Sequence, residues 1–235
     1  VFIVRELRCE NPLLNLKLLG ERNFGVSMAV LAVFGIGMLG GSYLLPLYMQ
    51  KGLGYTAIMA GSVFLPVGLI QGVLSTCSGF LTRYIKPLFI AVTGILVMTL
   101  SFYFASRFTL HTTHAQIMLV LYLRGFGMGL TFAPLNDFSL MNLSQRDMAS
   151  AAGISNSIKQ LSGSVSIALL TVILTGRTAF HSAQGGLSSA ESYVAGISDD
   201  FLFVTFVSLA SALPFLWLFR PRRKAASFKS EGTGT

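Results

Sequence analysis

The sequence predicts an all-α membrane protein of six transmembrane helices, and three observations carry that prediction. Of the 235 residues, 53% are hydrophobic and only 11% are charged. Soluble domains carry about 25% charged residues, so a chain this poor in charge could not cover its own surface in water. The apolar residues gather into six runs, each near the ~20 residues that a helix needs to cross about 30 Å of hydrocarbon. Lys and Arg flank those runs unequally, as they do in proteins whose loops are sorted across a membrane.

The six runs span residues 24–49, 57–81, 87–106, 116–139, 149–175 and 201–219. Residues 1–23 read as the end of a preceding helix and a cytoplasmic linker, and residues 220–235 as a basic cytoplasmic tail. The loops are short except for a polar stretch over 176–200, so no soluble domain is inserted. The chain opens on Val1 rather than Met, with no signal peptide, and Val1-Phe2-Ile3-Val4-Arg5 resembles the last turn of an apolar segment. The expectation is a piece of a longer chain.

With the amino terminus in the cytoplasm, the inner segments hold twelve of the 17 basic residues: Arg5, Arg8, Lys17, Arg22, Arg83, Lys86, Arg146, Arg220, Arg222, Arg223, Lys224 and Lys229. The outer loops hold only Lys51, Arg107 and Arg177. Both termini are therefore expected inside. A net charge of +8 could suit nucleic acid, but this distribution reads instead as a topology signal and as attraction to an anionic lipid bilayer. Cys9 and Cys77 do not make a disulfide framework. His111 and His114 lack a nearby Cys or carboxylate and make too weak a ligand set for a metal. No metal and no cofactor are expected.

The informative residues are the ionisable ones inside the spans, because a charge at the bilayer centre is costly and persists where it faces a cavity or a partner. Lys159 lies ten residues into the fifth span, about 15 Å deep. Asn156, Lys159, Gln160, Gly163 and Ser166 recur at three- and four-residue spacing and share one face. Ile154, Ile158, Leu161, Val165, Ala168 and Val172 form the opposite stripe. One side of this helix should face lipid or core, the other water or substrate. Arg124, eight residues into the fourth span, lies about 12 Å deep. The only carboxylate read within a span is Asp137, about 20 Å beyond Arg124 and out of its reach. Each cation therefore has two readings. In one, neighbouring carbonyls and hydroxyls satisfy it structurally. In the other, its counter-charge lies on helices outside this chain or on a substrate.

The third and sixth spans carry no ionisable residue between their ends and read as peripheral. Gly37 with Gly41, Gly68 with Gly72 and Gly125 with Gly129 make small-xxx-small pairs that permit close helix contact. Pro46, Pro66, Pro134 and Pro214 lie within or near span ends, where they can kink a helix and supply a bend. Pro134 and Gly163 join the glycine pairs as packing or hinge positions.

Several segments carry a family resemblance. Pro12-Leu13-Leu14-Asn15-Leu16-Lys17-Leu18-Leu19, followed by Arg22-Asn23-Phe24, resembles the linker into the seventh core helix of fourteen-helix drug:proton antiporters of the EmrB/QacA type. Gly54-Tyr55-Thr56-Ala57 with Ala60-Gly61 resembles the turn that opens the next helix. Leu123-Arg124-Gly125-Phe126-Gly127-Met128-Gly129 with Pro134-Leu135 resembles the glycine-rich tenth core helix. Ala149 to Gly153, Asn156 and Lys159-Gln160-Leu161-Ser162-Gly163-Ser164 resemble the eleventh, where Arg is common at the Lys159 position.

The resemblance implies a major facilitator core of which this chain is the C-terminal half-bundle, its spans being core helices seven to twelve. It also implies peripheral third and sixth helices in each half, and fourth and fifth helices that line the cavity. The superfamily's loop signature is altered here, with Arg83 in Gly79-Phe80-Leu81-Thr82-Arg83-Tyr84 where an Asp is typical.

The expected function is multi-pass secondary active efflux in the bacterial inner membrane, moving amphipathic small molecules outwards in exchange for protons by alternating access. Arg124 and Lys159 would supply positive potential to the substrate cavity, with Asn156 and Gln160 as hydrogen-bonding neighbours. The implied partners are a missing N-terminal half and a periplasmic adaptor of the kind EmrB-type pumps use. Two rivals stand beside this reading: a same-fold transporter of a defined sugar or organic anion, and a six-helix homo-oligomeric channel. An enzyme would need a catalytic constellation at one depth, and none is visible.

Overall fold

The computed structural model describes residues 16–140, 143–145, 147–183, 186 and 188–214. After a 3₁₀ turn, Leu16–Gly20, six helices follow: α1 Arg22–Leu47, α2 Ala57–Leu81, α3 Pro87–Ala105, α4 His114–Leu140, α5 Met148–Ala183 and α6 Ser189–Ala210. All six are long and apolar enough to cross a membrane. Among the described residues there is no strand. This is a multi-pass all-α membrane fold, since only structures that satisfy every backbone group internally can span hydrocarbon.

Local chemistry sets the helix ends. Pro46 removes an amide donor near the end of α1, which closes in a five-residue π turn, Tyr48–Gly52. Gly54 then turns the chain at φ +71°, a conformation that costs a glycine nothing. The Thr56 side chain caps α2 by accepting from the Met59 amide at 3.3 Å. Pro87 starts α3 in the position where its missing N–H is harmless. At the start of α6, the Ser188 hydroxyl accepts from the Glu191 amide while the Glu191 carboxylate accepts from the Ser188 amide at 2.8 Å. This is a reciprocal capping box.

Those last bounds revise the span assignments. The stretch over 176–200, expected as a polar outer loop, is helical over most of its length: α5 continues to Ala183 and α6 begins at Ser189. Glu191, Asp199 and Asp200 thus lie in the sixth helix, so that helix begins earlier than the expected span over 201–219 and carries ionisable residues before it. Arg177 likewise sits on α5 rather than in a loop. Its Nε donates to Asp199 Oδ2 at 2.7 Å, and His181 Nε2 lies 2.8 Å from the same oxygen, which ties the end of α5 to α6. An ion pair of this kind repairs the polarity that made the stretch look like a loop. The expected end of the sixth span and the basic tail, together with Cys9, lie outside the described residues.

In the bundle, α3 packs closely on α4, α4 on α2, α1 on α5 and α6, and α3 on α6. Glycine permits the closest approaches. A Cβ at Gly127 would lie 2.7 Å from Met98 Cβ, and one at Gly129 would lie 2.7 Å from Leu74 Cβ. Close contact matters in lipid because helix association there rests on van der Waals packing and interhelical hydrogen bonds. Hydroxyls add such bonds: Ser101 donates to Val120 O at 2.7 Å, Ser78 to Gly129 O at 3.0 Å and Ser166 to Ile36 O at 2.8 Å. The core runs through Phe24, Phe34, Leu44, Met98, Phe102 and Phe201, all buried.

Two helices are left largely open. The most apolar windows of α2 and α5 are 17% and 22% buried, against 44–56% for the other four. Leu65, Leu69 and Val73 of α2 and Leu161, Val165 and Val172 of α5 are among the exposed side chains.

Candidate functional site

Helix α5 presents different chemistry on adjacent faces. Ser155, Ser162, Ser166 and Leu170 are buried. They follow the three- and four-residue spacing that puts them on one side, and Ser162 and Ser166 lie against Gly35 and Gly40 of α1. Gly163 also belongs to this packing, because a Cβ there would collide with Leu39. The polar stripe expected to face a cavity is therefore divided. Gly163 and Ser166 are packed against α1, while Asn156 and Gln160 are exposed and Lys159 is half-buried. The apolar stripe divides too, with Ile154 buried and Leu161, Val165 and Val172 exposed.

Lys159 lies about 16 Å along α5. Its Nζ stands 4.9 Å from the centroid of the Phe132 ring on α4, within range of the attraction between a cation and an aromatic face. Between the two helices is a cavity of about 490 Å³ lined by Asn136, Ser139, Ala152, Ser155, Asn156 and Lys159. Several of its polar side chains are already engaged. Asn136 Nδ2 donates to Phe132 O at 3.0 Å, and Ser139 Oγ donates to Leu135 O at 2.6 Å. The cavity thus offers an ammonium and an amide, Asn156, on a floor otherwise held by its own helices. Asn136 and Ser139 were missed by the sequence reading because nothing in their spacing distinguishes them from helix interior. Phe132, which holds the ammonium, carries no sequence signal at all.

Arg124 is placed elsewhere. It is 4% exposed, and it reaches from α4 to α1, donating to Met38 O at 3.0 Å and to Ser42 Oγ. Gly41 makes room for it, since a Cβ there would lie 3.1 Å from Arg124 Nε and press on Phe102. Of the four residues expected to line one cavity, the structure brings Lys159 and Asn156 together. Gln160 stands outside that lining, and Arg124 spans the α1–α4 contact.

The packing positions also separate. Gly37, Gly41, Gly125 and Gly129 each stand where a Cβ would press on a neighbouring helix, whereas one at Gly68 or Gly72 would meet nothing within 4 Å. Pro134 is buried inside α4.

The residue that sequence reading missed altogether is Asp200, which is fully buried midway along α6. Neither of its carboxylate oxygens has a hydrogen-bond partner among the described residues. The signal that could have found it was the Ser188-x-x-Glu191 box, which starts the helix eleven residues earlier.

A family model described as Major Facilitator Superfamily matches residues 4–167. The chain is 32% identical over 183 residues to the uncharacterised MFS-type transporter YhcA of Bacillus subtilis, which takes in 78% of this chain and 34% of that protein. It is 26% identical over 222 residues to lincomycin resistance protein LmrB of Listeria innocua, covering 93% of this chain and 47% of that one. It is 31% identical over 183 residues to multidrug export protein EmrB of Haemophilus influenzae, covering 77% and 36%. The chain spans from about a third to about half of the length of these curated relatives.

Proposed function

The chain belongs to the Major Facilitator Superfamily, and on that premise we propose that it forms the carboxy-terminal half-bundle of a bacterial drug exporter. The transporter moves amphipathic compounds out of the cell in exchange for protons by alternating access about a central site. The observation that carries this reading is the half-walled cavity at Lys159, which lies beside α5, one of the two helices whose apolar faces are largely uncovered. A second bundle laid against α2 and α5 would cover those faces and supply the opposite wall. The names of LmrB and EmrB support drug export as the transported class, and the share of their lengths that the chain spans supports a missing half.

In this reading both termini are cytoplasmic, the protein lies in the inner membrane, and a periplasmic adaptor receives the exported compound. Lys159 favours amphiphiles with an anionic or electron-rich group, because its ammonium has no carboxylate partner among the described residues. Substrates that are organic anions form the second reading.

The test is reconstitution of the full-length transporter in proteoliposomes. An imposed proton gradient should drive uphill movement of lipophilic dyes, and anionic and cationic amphiphiles should compete unequally for it. Drug resistance conferred by residues 1–235 alone would contradict the half-transporter reading.

A further inference from the structure

The turn between α3 and α4 holds a cation that the bundle does not neutralise. Arg107 follows the end of α3 by two residues. Among the described residues it has no carboxylate partner, whereas Arg177 is paired with Asp199. Its guanidinium donates to Tyr103 Oη at 2.9 Å and lies 5.3 Å from the centroid of that ring. This fixes the direction of the group and leaves most of its N–H donors unused. α3 has 19 residues and a length of about 28 Å, close to the ~30 Å of hydrocarbon in a bilayer. Arg107 therefore stands at the level of the lipid headgroups.

A cavity of about 280 Å³ lies beside it, lined by Phe104, Arg107, Thr112, Gln116, Leu119 and Val120 among others. Its polar end is made of donors. Thr112 Oγ1 accepts from the Thr109 amide at 2.8 Å, and Gln116 Oε1 accepts from the Thr113 amide at 2.9 Å. The Gln116 oxygen is thus occupied and its Nε2 remains to donate. Neither Asp nor Glu is among the lining residues. Gln116 also stands in the first turn of α4, the end of a helix that favours an anion. A guanidinium with free N–H groups beside an amide donor suits a phosphate, which Arg binds through paired hydrogen bonds.

The other end of the cavity is apolar and continues along the bundle surface. Phe104 and Leu119 are exposed, as are Leu96 and Leu100 on α3 and Tyr122 and Phe126 on α4. They recur at three- and four-residue intervals, so each set lies along one side of its helix. A phosphate joined to long apolar chains matches both ends of this surface. The Tyr103 face, which could otherwise attract the choline of a zwitterionic lipid, is covered by Arg107.

We propose that this cavity binds the headgroup of an anionic glycerophospholipid, its phosphate held by Arg107 and Gln116 and its acyl chains laid along Phe104 and Leu119 towards Leu100 and Tyr122. The site shares no residue with the Lys159 cavity.

The experiment places the full-length transporter in vesicles of phosphatidylglycerol and phosphatidylcholine, with one tryptophan introduced by Leu119→Trp in an otherwise tryptophan-free protein. Each lipid in turn carries brominated chains, and the quenching gives their relative affinity at that position. Phosphatidylglycerol should be favoured about fivefold, the weight of one cation at an anionic headgroup. Arg107→Gln should bring that ratio to about one, and Arg107→Lys should keep part of the preference, because the charge remains while the fork on phosphate is lost. A control tryptophan at Leu96→Trp, about 16 Å from Arg107 along α3, should show no preference with either residue at 107. Equal quenching at Leu119→Trp with Arg107 in place, or a preference that survives Arg107→Gln unchanged, would overturn the assignment. Glycerol 3-phosphate in the buffer should leave the quenching as it was; relief of quenching would make a free phosphate the ligand and defeat the lipid assignment. A second measurement needs no substitution. In native mass spectra of wild-type transporter released from an equal mixture of the two lipids, phosphatidylglycerol should stay bound at collision energies that strip phosphatidylcholine. Equal loss of both would also overturn the site.

Discussion

The guanidinium of Arg124 on α4 donates to the Met38 carbonyl oxygen on α1 across 3.0 Å, so the most buried cation among the described residues fastens one helix to another. Its mutational signature should be structural. Arg124→Ala opens a void against Gly41 and Phe102, and large-to-small substitutions in packed interiors cost about 2–5 kcal/mol. Arg124→Met keeps the bulk and removes a buried charge, which is often close to neutral. The thermal unfolding midpoint of purified full-length transporter should fall clearly for Arg124→Ala and much less for Arg124→Met.

Lys159 should behave in the opposite way, its charge mattering more than its bulk. Its ammonium gains about 0.5–1 kcal/mol from the Phe132 face, less than the roughly 2.5–3.5 kcal/mol that inserting a charge at a helix centre costs. Lys159→Met should therefore retain expression and thermal stability yet lose uphill efflux in proteoliposomes. Lys159→Arg should keep much of it, with a partial defect because the planar guanidinium stacks differently on Phe132. Wild-type efflux by the Met variant would remove Lys159 from the substrate cavity.

Two glycines, Gly129 on α4 packed against α2 and Gly68 on α2 itself, make a controlled comparison. A Cβ at Gly129 would meet Leu74 Cβ at 2.7 Å and force α2 and α4 apart, whereas one at Gly68 would meet nothing. Replacing a helical glycine in open space with alanine stabilises by about 0.5–1 kcal/mol. In the six-helix chain in detergent, Gly129→Ala should lower the thermal midpoint and Gly68→Ala should hold or raise it. Gly68→Leu in the full-length transporter should reduce efflux, because in the proposed architecture α2 contacts the second half.

Accessibility labelling tests the orientation. Ser182, exposed on the last turn of α5, is a better probe than Ser188, whose hydroxyl caps α6 and whose loss would cost about 1 kcal/mol. Cysteines at Ser182 and Ser227 in a cysteine-free background should react with an impermeant maleimide from opposite faces of the membrane. Reaction of both from one face would reverse the topology.

The six-helix fold was legible in the sequence because apolar runs near 20 residues report directly on the hydrocarbon they cross. The α5–α6 connection was not, since Arg177, His181 and Asp199 look like loop residues until the fold pairs them. Depth along a helix singled out Lys159 and Arg124 as unusual, but depth says nothing about azimuth. Arg124 turns towards Met38 while Lys159 stands between α4 and α5, and only the packed bundle separates the two roles. The glycine pairs show the same limit. Spacing marks a surface that allows close approach, and whether another helix takes it up depends on the partner, as Gly129 and Gly68 demonstrate.

The length of α5 gives it mechanical leverage. Its 36 residues extend about 54 Å, against about 30 Å of hydrocarbon. Lys159 lies 24 residues, or about 36 Å, from the Ala183 end. A tilt of about 10° pivoting at Lys159 would carry that far end sideways by about 6 Å, half the diameter of a helix. A rearrangement small enough to be absorbed by one side chain at the cavity thus becomes, at the Arg177–Asp199 tether about 27 Å from the pivot, a stroke of about 5 Å, long enough to part that 2.7 Å ion pair.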